Sequence, residues 1–283
     1  MTCDLHTHSV FSDGTYTPAQ LIAEAESIGL SAVALTDHNT IAGLPDFLAA
    51  GEGSTVEAVP GCEFSTDYNG TELHILGLWI PPEHYQTVTD LLDKAQKDKE
   101  ESNRDLVHAL NEAGYTIDYQ KVIARSQGSV NRAHIAAELM ENGYVSSIED
   151  AFRHLLTKKH GFYKPPKRID AYECIRFIKS IGAKAVLAHP FLNLKEETAL
   201  RGFLPEAVEA GLDGMEVLYS KFTPEQTALA QQIAQEYGLL PSGGSDFHGE
   251  NKPDIRLGVG RGTLRIPYSW MEALKKGRFK GPY

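Results

Sequence analysis

Short apolar runs of strand length alternate with stretches of helical spacing along much of this chain. "TCDLHTH" and "SAVALTDH" are compact apolar runs. Between them, "TPAQLIAEAESIGL" repeats its apolar residues at intervals of three and four, the spacing of one helix face. Thr17 is placed to cap that helix, Pro18 suits its first turn and Gly29 its end. "VEAVPGCEFST" and "TELHILGLWI" then read as two strands joined by a hairpin-type turn at Asn69-Gly70.

From about Val88 to Leu156 the strand signals give way to helical ones. "NRAHIAAELMENGY" reads as a helix ended by Gly143, and "SSIEDAFRHLL" opens with Ser146 and Glu149 in capping-box spacing. Strands return in "AKAVLAHP", "LDGMEVLY", "GLLPSGGSDFH" and "RLGVGRG", separated by the amphipathic "DAYECIRFIKSIG" and "TPEQTALAQQIAQEYG". The pattern is a βα repeat interrupted by an all-helical segment. Without a dinucleotide-type glycine fingerprint it suggests a barrel-like parallel sheet, although periodicity alone does not separate this from an open doubly wound sheet.

Composition narrows the partners. The 283 residues can bury one large α/β core with an insert. Lys and Arg number 27 against 38 Asp and Glu, and a net charge of −11 repels long polyanions. That argues against stable DNA binding while permitting a small phosphorylated ligand or bound cations. No apolar run approaches the ~20 residues that span a bilayer, and "MTCDLHTH" lacks the features of a signal peptide. Cys3, Cys62 and Cys174 are odd in number and scattered, as in a reduced cytoplasmic protein where they act as small buried hydrophobes.

The eleven histidines carry the chemistry. His6 and His8 are two apart, so on a strand they share a face, with Asp13 just beyond. His38 follows "AVALTD", Glu63 follows "EAVPGC", His74 lies in "ELHILGL", His189 follows "AVLA", and Asp246 and His248 follow "PSGGS". Any one of these reads as a core or surface histidine. Six histidines on or just past predicted strands, with carboxylates beside them, point instead to a polynuclear metal centre at the mouth of a barrel. Imidazole with carboxylate suits zinc, manganese or iron better than calcium or magnesium.

"DLHTH", "TDHNT", "GCEFS", "LHILGL", "LAHP" and "GSDFHG" resemble, in order, the motifs of the PHP (polymerase and histidinol phosphatase) superfamily of metal-dependent phosphoesterases. The resemblance implies an α/β fold, a distorted (β/α)7 TIM-like barrel formed by residues 1–95 and 165–283, with an all-helical insertion domain at 96–164 capping the substrate. "FSDGTYTPAQLI", "NRAHIA" and the insert resemble most a bacterial subgroup acting on nucleotides. That subgroup includes nucleoside monophosphate and 3′,5′-bisphosphate phosphatases and a 5′-to-3′ exoribonuclease of short RNA.

Two or three divalent ions (Mn²⁺, Fe²⁺ or Zn²⁺) are implied. By the resemblance, His6, His8, Glu63 and Asp246 would bind one, Glu63 would bridge to a second held by His74 and His189, and Asp13, His38 and His248 would hold a third. Asp13 stands where many members carry histidine, which bears on that third ion.

The implied reaction is phosphate ester hydrolysis by a metal-bound hydroxide, with no covalent enzyme intermediate. Glu63 and Asp246 would serve it through the metals, and His248 would assist the leaving group. Arg132 and His134 open a helix, where free backbone N–H groups favour anions. Lys164 and Arg168, from "KKHGFYKPPKR" with its Phe162 and Tyr163, are further candidates for substrate contact. The expected substrate is a small phosphorylated nucleotide. Short RNA and histidinol phosphate are the enzymatic alternatives, and a metal-binding regulatory module the non-enzymatic one.

Overall fold

The computed structural model describes residues 1–125 and 130–278; the chain divides into two compact units, Met1–Thr89 with Ile169–Tyr283 and Asp90–Arg168. In the first unit nine strands form one mixed sheet: β1 (Thr2–Asp4), β2 (Ala32–Leu35), β3 (Glu57–Tyr68), β4 (Thr71–Leu78), β5 (Ile169–Asp170), β6 (Lys184–Leu187), β7 (Gly214–Tyr219), β8 (Leu240–Gly244) and β9 (Ile266–Pro267). β1, β2 and β3 pair in parallel, as do β6, β7 and β8. β4 runs antiparallel to both of its neighbours, β3 and β6.

The hairpin between β3 and β4 turns at Asn69 and Gly70, with φ of 51° and 81°. Two successive positive φ values are what a tight hairpin turn needs, and Asn-Gly tolerates them best. The ring is completed where β8 and β1 run out: Leu5 N–H donates to Gly243 O (3.2 Å), Asp246 N–H to His6 O (2.9 Å) and His8 N–H to Phe247 O (2.9 Å). The result is a distorted (β/α)7 barrel of β1, β2, β3, β4, β6, β7 and β8. β9 pairs with β1, and the short β5 pairs in parallel with the end of β3. All four residues of β2 are buried, as expected of a barrel strand covered on both faces.

Helices coat the outside. α1 (Pro18–Ser27) starts at Thr17, whose hydroxyl accepts from Gln20 N–H while the Gln20 side chain accepts from Thr17 N–H. α2 spans Leu44–Gly51, and the long α3 (Tyr85–Glu112) leads into the second unit. There, α4 (Tyr119–Arg125), α5 (Arg132–Glu141) and α6 (Ile148–His154) pack about Leu106, Leu110, Ile135, Leu139 and Leu156, all fully buried. Each such leucine or isoleucine contributes roughly 1.5–3 kcal/mol by leaving water. Back in the first unit, α7 (Ala171–Ser180) buries Ala171, Cys174, Ile175 and Ile178, one stripe at helical spacing. α8 (Pro190–Asn193), α9 (Glu197–Ala210), α10 (Pro224–Glu236) and α11 (Tyr268–Lys276) complete the described residues. The three cysteines are free and fully buried.

Two local expectations are corrected. "RLGVGRG" forms only an isolated Arg256–Gly260 bridge, because Gly258, Gly260 and Gly262 all take positive φ, which breaks extended pairing. The cap of α6 is Ser147 rather than Ser146: Ser147 Oγ accepts from Asp150 N–H, while the Asp150 carboxylate accepts from the Ser146 amide and hydroxyl.

Candidate metal centre

The seam that closes the barrel also assembles the chemistry. A Cβ on Gly244 would lie 2.1 Å from His6 Cβ, so glycine alone permits β8 to approach β1 this closely. Its consequence is that Asp246 and His248, just past β8, meet His6 and His8, just past β1. Asp246 takes φ of 58°, a left-handed conformation that aspartate tolerates better than most residues. Glu63 comes from β3 and His74 from β4; His38 follows β2, and His189 follows β6.

Glu63, fully buried, stands at the centre. Its Oε1 lies 2.7 Å from His74 Nδ1 and 2.9 Å from His189 Nε2. Its Oε2 lies 3.0 Å from His38 Nδ1, 3.1 Å from His6 Nε2 and 3.3 Å from His8 Nε2. Asp246 Oδ1 is 3.3 Å from His8 Nε2 and 3.8 Å from His6 Nε2. Asp13 Oδ1 is 3.2 Å from His248 Nε2 and 3.7 Å from His8 Nδ1, and Asp13 Oδ2 is 3.9 Å from His38 Nε2.

Ligand atoms converge in four overlapping groups: His8, Asp13, His38 and His248; His6, Glu63 and His189; His6, His8 and Asp246; and His38, Glu63 and His74. All nine candidate ligands read from the sequence fall in them. The grouping crosses the expected partition, since His8 joins Asp13, His38 and His248, while His38 also approaches Glu63.

The donor chemistry fits divalent transition metals. His6 Nε2, both His8 nitrogens, Glu63 Oε2 and His248 Nε2 are buried with no hydrogen-bond partner. An orphaned buried polar group costs about 1–3 kcal/mol, and such atoms concentrated in one cluster fit coordination of a cation. Three imidazoles are pre-oriented through the other nitrogen. His6 Nδ1 lies 3.1 Å from Glu216 Oε1, His189 Nδ1 3.1 Å from Asn193 Oδ1, and His248 Nδ1 2.9 Å from the Asp246 carbonyl oxygen.

The electrostatics favour cations. Burial opposes ionisation of Glu63, yet His38, His6 and His74 hold its carboxyl well below the usual range. Asp246 is likewise held low against its burial by His8, His6 and Lys252. His8 is pushed down to about 3 by burial and by neighbouring His38. Burial would lower His6 and His74 too, but Glu63 and Glu216 carry His6 well above its ordinary value, and Glu63 with Glu72 raises His74 to about 10.

Sequence reasoning missed the supports. Glu216, in the middle of β7, also accepts the His189 amide N–H at 2.7 Å through Oε2. Tyr219 OH and Lys252 Nζ both donate to Asp246 Oδ2, at 2.7 and 2.8 Å, leaving Oδ1 toward the histidines. The available signal was a lone glutamate in the otherwise apolar "GMEVLY".

The four candidate substrate contacts lie in the second unit. Arg132 donates from Nη1 to Leu156 O (2.8 Å), and its guanidinium carbon lies 4.1 Å from the Tyr163 ring centroid and 5.3 Å from that of Phe152. His134 Nδ1 accepts from Asn131 N–H, closing the cap of α5. Lys164 is exposed, and its carbonyl accepts from Ser102. Arg168 is half-buried at the end of the unit.

Comparison with known proteins adds an independent line. The family model described as "PHP domain" matches residues 4–163. The 5'-3' exoribonuclease of Haemophilus influenzae is 32% identical over 245 residues, covering 87% of this chain and 89% of that protein. Phosphoribosyl 1,2-cyclic phosphate 1,2-diphosphodiesterase of Eggerthella lenta is 31% identical, covering 87% and 94%. The 3',5'-nucleoside bisphosphate phosphatase of Chromobacterium violaceum is 28% identical, covering 89% and 90%. Among solved structures, a Bifidobacterium adolescentis protein assigned as a metal-dependent phosphoesterase has a TM-score of 0.75 at 28% identity, covering 98% of this chain and 96% of that one.

Proposed function

The chain belongs to the PHP family, and from that premise we propose that it hydrolyses phosphate monoesters of small nucleotides, either a nucleoside 3′,5′-bisphosphate or a nucleoside monophosphate. It is a metal-dependent hydrolase of phosphoric esters, the chemistry common to relatives named as exoribonuclease, phosphodiesterase and phosphatase. The observation that carries the reading is the convergence of six histidines and three carboxylates, with orphaned ligand atoms, contributed by six strands of the barrel and the turns after them.

His6, His8, Asp13, His38, Glu63, His74, His189, Asp246 and His248 would hold two or three ions of Mn²⁺, Fe²⁺ or Zn²⁺. When bound, such ions neutralise phosphoryl oxygens and acidify water at neutral pH. The protein's own groups then do the positioning. Glu63 spreads its two oxygens over five histidines. Tyr219 and Lys252 fix the rotation of the Asp246 carboxylate. We assign assistance to the leaving group to His248, whose Nδ1 is held by the Asp246 carbonyl. For substrate recognition we assign Arg132, His134, Lys164 and Arg168, with residues 96–164 acting as the capping segment.

The relatives' names span three substrates at similar identity, so the ranking rests on electrostatics. A net charge of −11 repels a polyanion more strongly than it repels one nucleotide. The exoribonuclease reading is favoured by the 32% identity to the Haemophilus influenzae protein and stands second. The test is a panel with Mn²⁺, Fe²⁺ or Zn²⁺ in which nucleoside mono- and bisphosphates and histidinol phosphate are assayed for released phosphate and short 5′-phosphorylated RNAs for released mononucleotides. Metal-dependent release from the nucleotides is expected; release confined to RNA or histidinol phosphate would replace this reading.

A further inference from the structure

We propose that Glu216, a carboxylate outside the ligand set, is a positioning residue that sets the tautomer of His6 and the backbone of His189 together. A substitution there that leaves only one acceptor oxygen should therefore disturb one ligand group or the other, whichever way the side chain turns. The inference rests on the metal-centre reading above.

Glu216 is fully buried in β7, and a buried carboxylate is retained only where partners satisfy it. Its two oxygens are divided between two candidate ligands: Oε1 is 3.1 Å from His6 Nδ1, and Oε2 accepts the His189 amide N–H at 2.7 Å. A carboxylate oxygen only accepts, so the hydrogen of this contact sits on His6 Nδ1. In the neutral ring Nε2 then carries the lone pair. Nε2 is the atom left buried without a hydrogen-bond partner, facing Glu63 Oε2 and Asp246 Oδ1. At His189 the same carboxylate acts on the main chain. His189 takes φ 26° and ψ 58°, an unfavourable conformation for a bulky L-residue, and its amide bond to Glu216 helps hold it there. Asn193 orients the His189 ring, so that Nε2 reaches Glu63 Oε1.

The proposal turns on the acceptor-only chemistry of Glu216. In Glu216→Gln, the amide oxygen can serve only one of the two donors. If it keeps the His189 N–H, the amide NH₂ faces His6 Nδ1 and draws the imidazole hydrogen to Nε2, removing the lone pair available for a metal. If the amide flips, NH₂ confronts the fixed His189 N–H. Either arrangement disturbs a ligand, though side-chain size is unchanged.

Zinc is the probe, with affinity read by competition against a chromophoric chelator and His6 read by ¹⁵N NMR of the zinc-loaded wild-type protein. The expected results are a protonated Nδ1 and a zinc-shifted Nε2 on His6, and zinc binding weakened 10- to 100-fold in Glu216→Gln, the usual effect of losing a partner behind a ligand. Zinc-shifted Nδ1 on His6, or a Glu216→Gln affinity within tenfold of wild type, would overturn the inference while leaving the metal centre standing. If Glu216→Gln does not fold, the wild-type NMR result alone decides. Wild-type protein that binds no zinc, manganese or iron would remove the metal-centre reading itself, and this inference with it.

Discussion

Asp37 holds Ser9 by two bonds at once: Oδ1 accepts the Ser9 amide N–H at 2.7 Å and Oδ2 the Ser9 hydroxyl at 2.6 Å. A third bond, from Ser12 Oγ to Oδ1 at 2.6 Å, pins the same loop. This buried aspartate follows β2, yet it organises the segment after β1 that carries His8 and Asp13. Asp37→Ala should leave three donors unsatisfied and lower the stability of the metal-free protein by about 2–3 kcal/mol, with Asp37→Asn intermediate. Metal content should fall with it, because Asp13 loses its anchor. Urea denaturation with elemental analysis checks both; unchanged values would mean that the loop holds itself.

Glu63 tests the centre directly. Glu63→Gln replaces one acceptor oxygen with a donor among five imidazoles, so bound transition metal and activity should both nearly vanish. Full metal content in that variant, measured by elemental analysis, would remove Glu63 from the ligand set.

Metal affinity should rise with pH. His74 is raised to about 10 and His6 well above its ordinary value by the neighbouring carboxylates, so in the metal-free protein both rings favour the cationic form with a second ring proton. Ligation requires that proton to leave, so each one released should strengthen binding about tenfold per pH unit below the pKa. Chelator competition at pH 6.5, 7.5 and 8.5 measures the slope. A flat profile would mean that metal does not displace protons from these nitrogens.

The nine candidate ligands were legible in the chain because βα repetition puts strand ends where chemistry gathers, and each carried a histidine or a carboxylate. What escaped was of three physical kinds. Glu216 lies inside an apolar strand, where only the spatial neighbours His6 and His189 explain a charge. The glycines of "RLGVGRG" take conformations that composition does not disclose. β5 and β9, two residues each, are too short to leave a periodic signal. The antiparallel course of β4 was implicit in the Asn69-Gly70 turn, whereas the ring closure depended on the close approach of Gly244 to His6.

Arg132 has a packing role that competes with substrate binding. Its guanidinium stacks against Tyr163 and donates to Leu156 O, contacts that together stabilise the second unit by about 1–2 kcal/mol. Arg132→Ala should therefore lower thermal stability. If Arg132 also grips phosphate, kcat/KM should fall by a further ~1.5–3 kcal/mol at unchanged metal content, and Arg132→Lys should recover little of it, since lysine lacks the planar fork. Lowered stability with wild-type kinetics would assign Arg132 to packing alone.

Substrate length separates the two leading readings. The helical segment 96–164 lies in the sequence between His74 and His189, two candidate ligands around Glu63 Oε1. A capping segment there would favour a closed pocket for one nucleotide. An exonuclease must instead accommodate the following nucleotides in a groove, and grooves that track nucleic acid are lined with positive charge. With 38 acidic residues against 27 Lys and Arg, this chain offers an extended phosphodiester little general attraction. We expect kcat/KM for a nucleoside 3′,5′-bisphosphate to exceed that for a 5′-phosphorylated pentaribonucleotide by at least tenfold, about 1.4 kcal/mol in transition-state binding. Raising ionic strength should narrow the gap, because screening weakens repulsion of the longer anion more. Equal or faster turnover of the pentanucleotide would reverse the ranking and make the enzyme chiefly a ribonuclease.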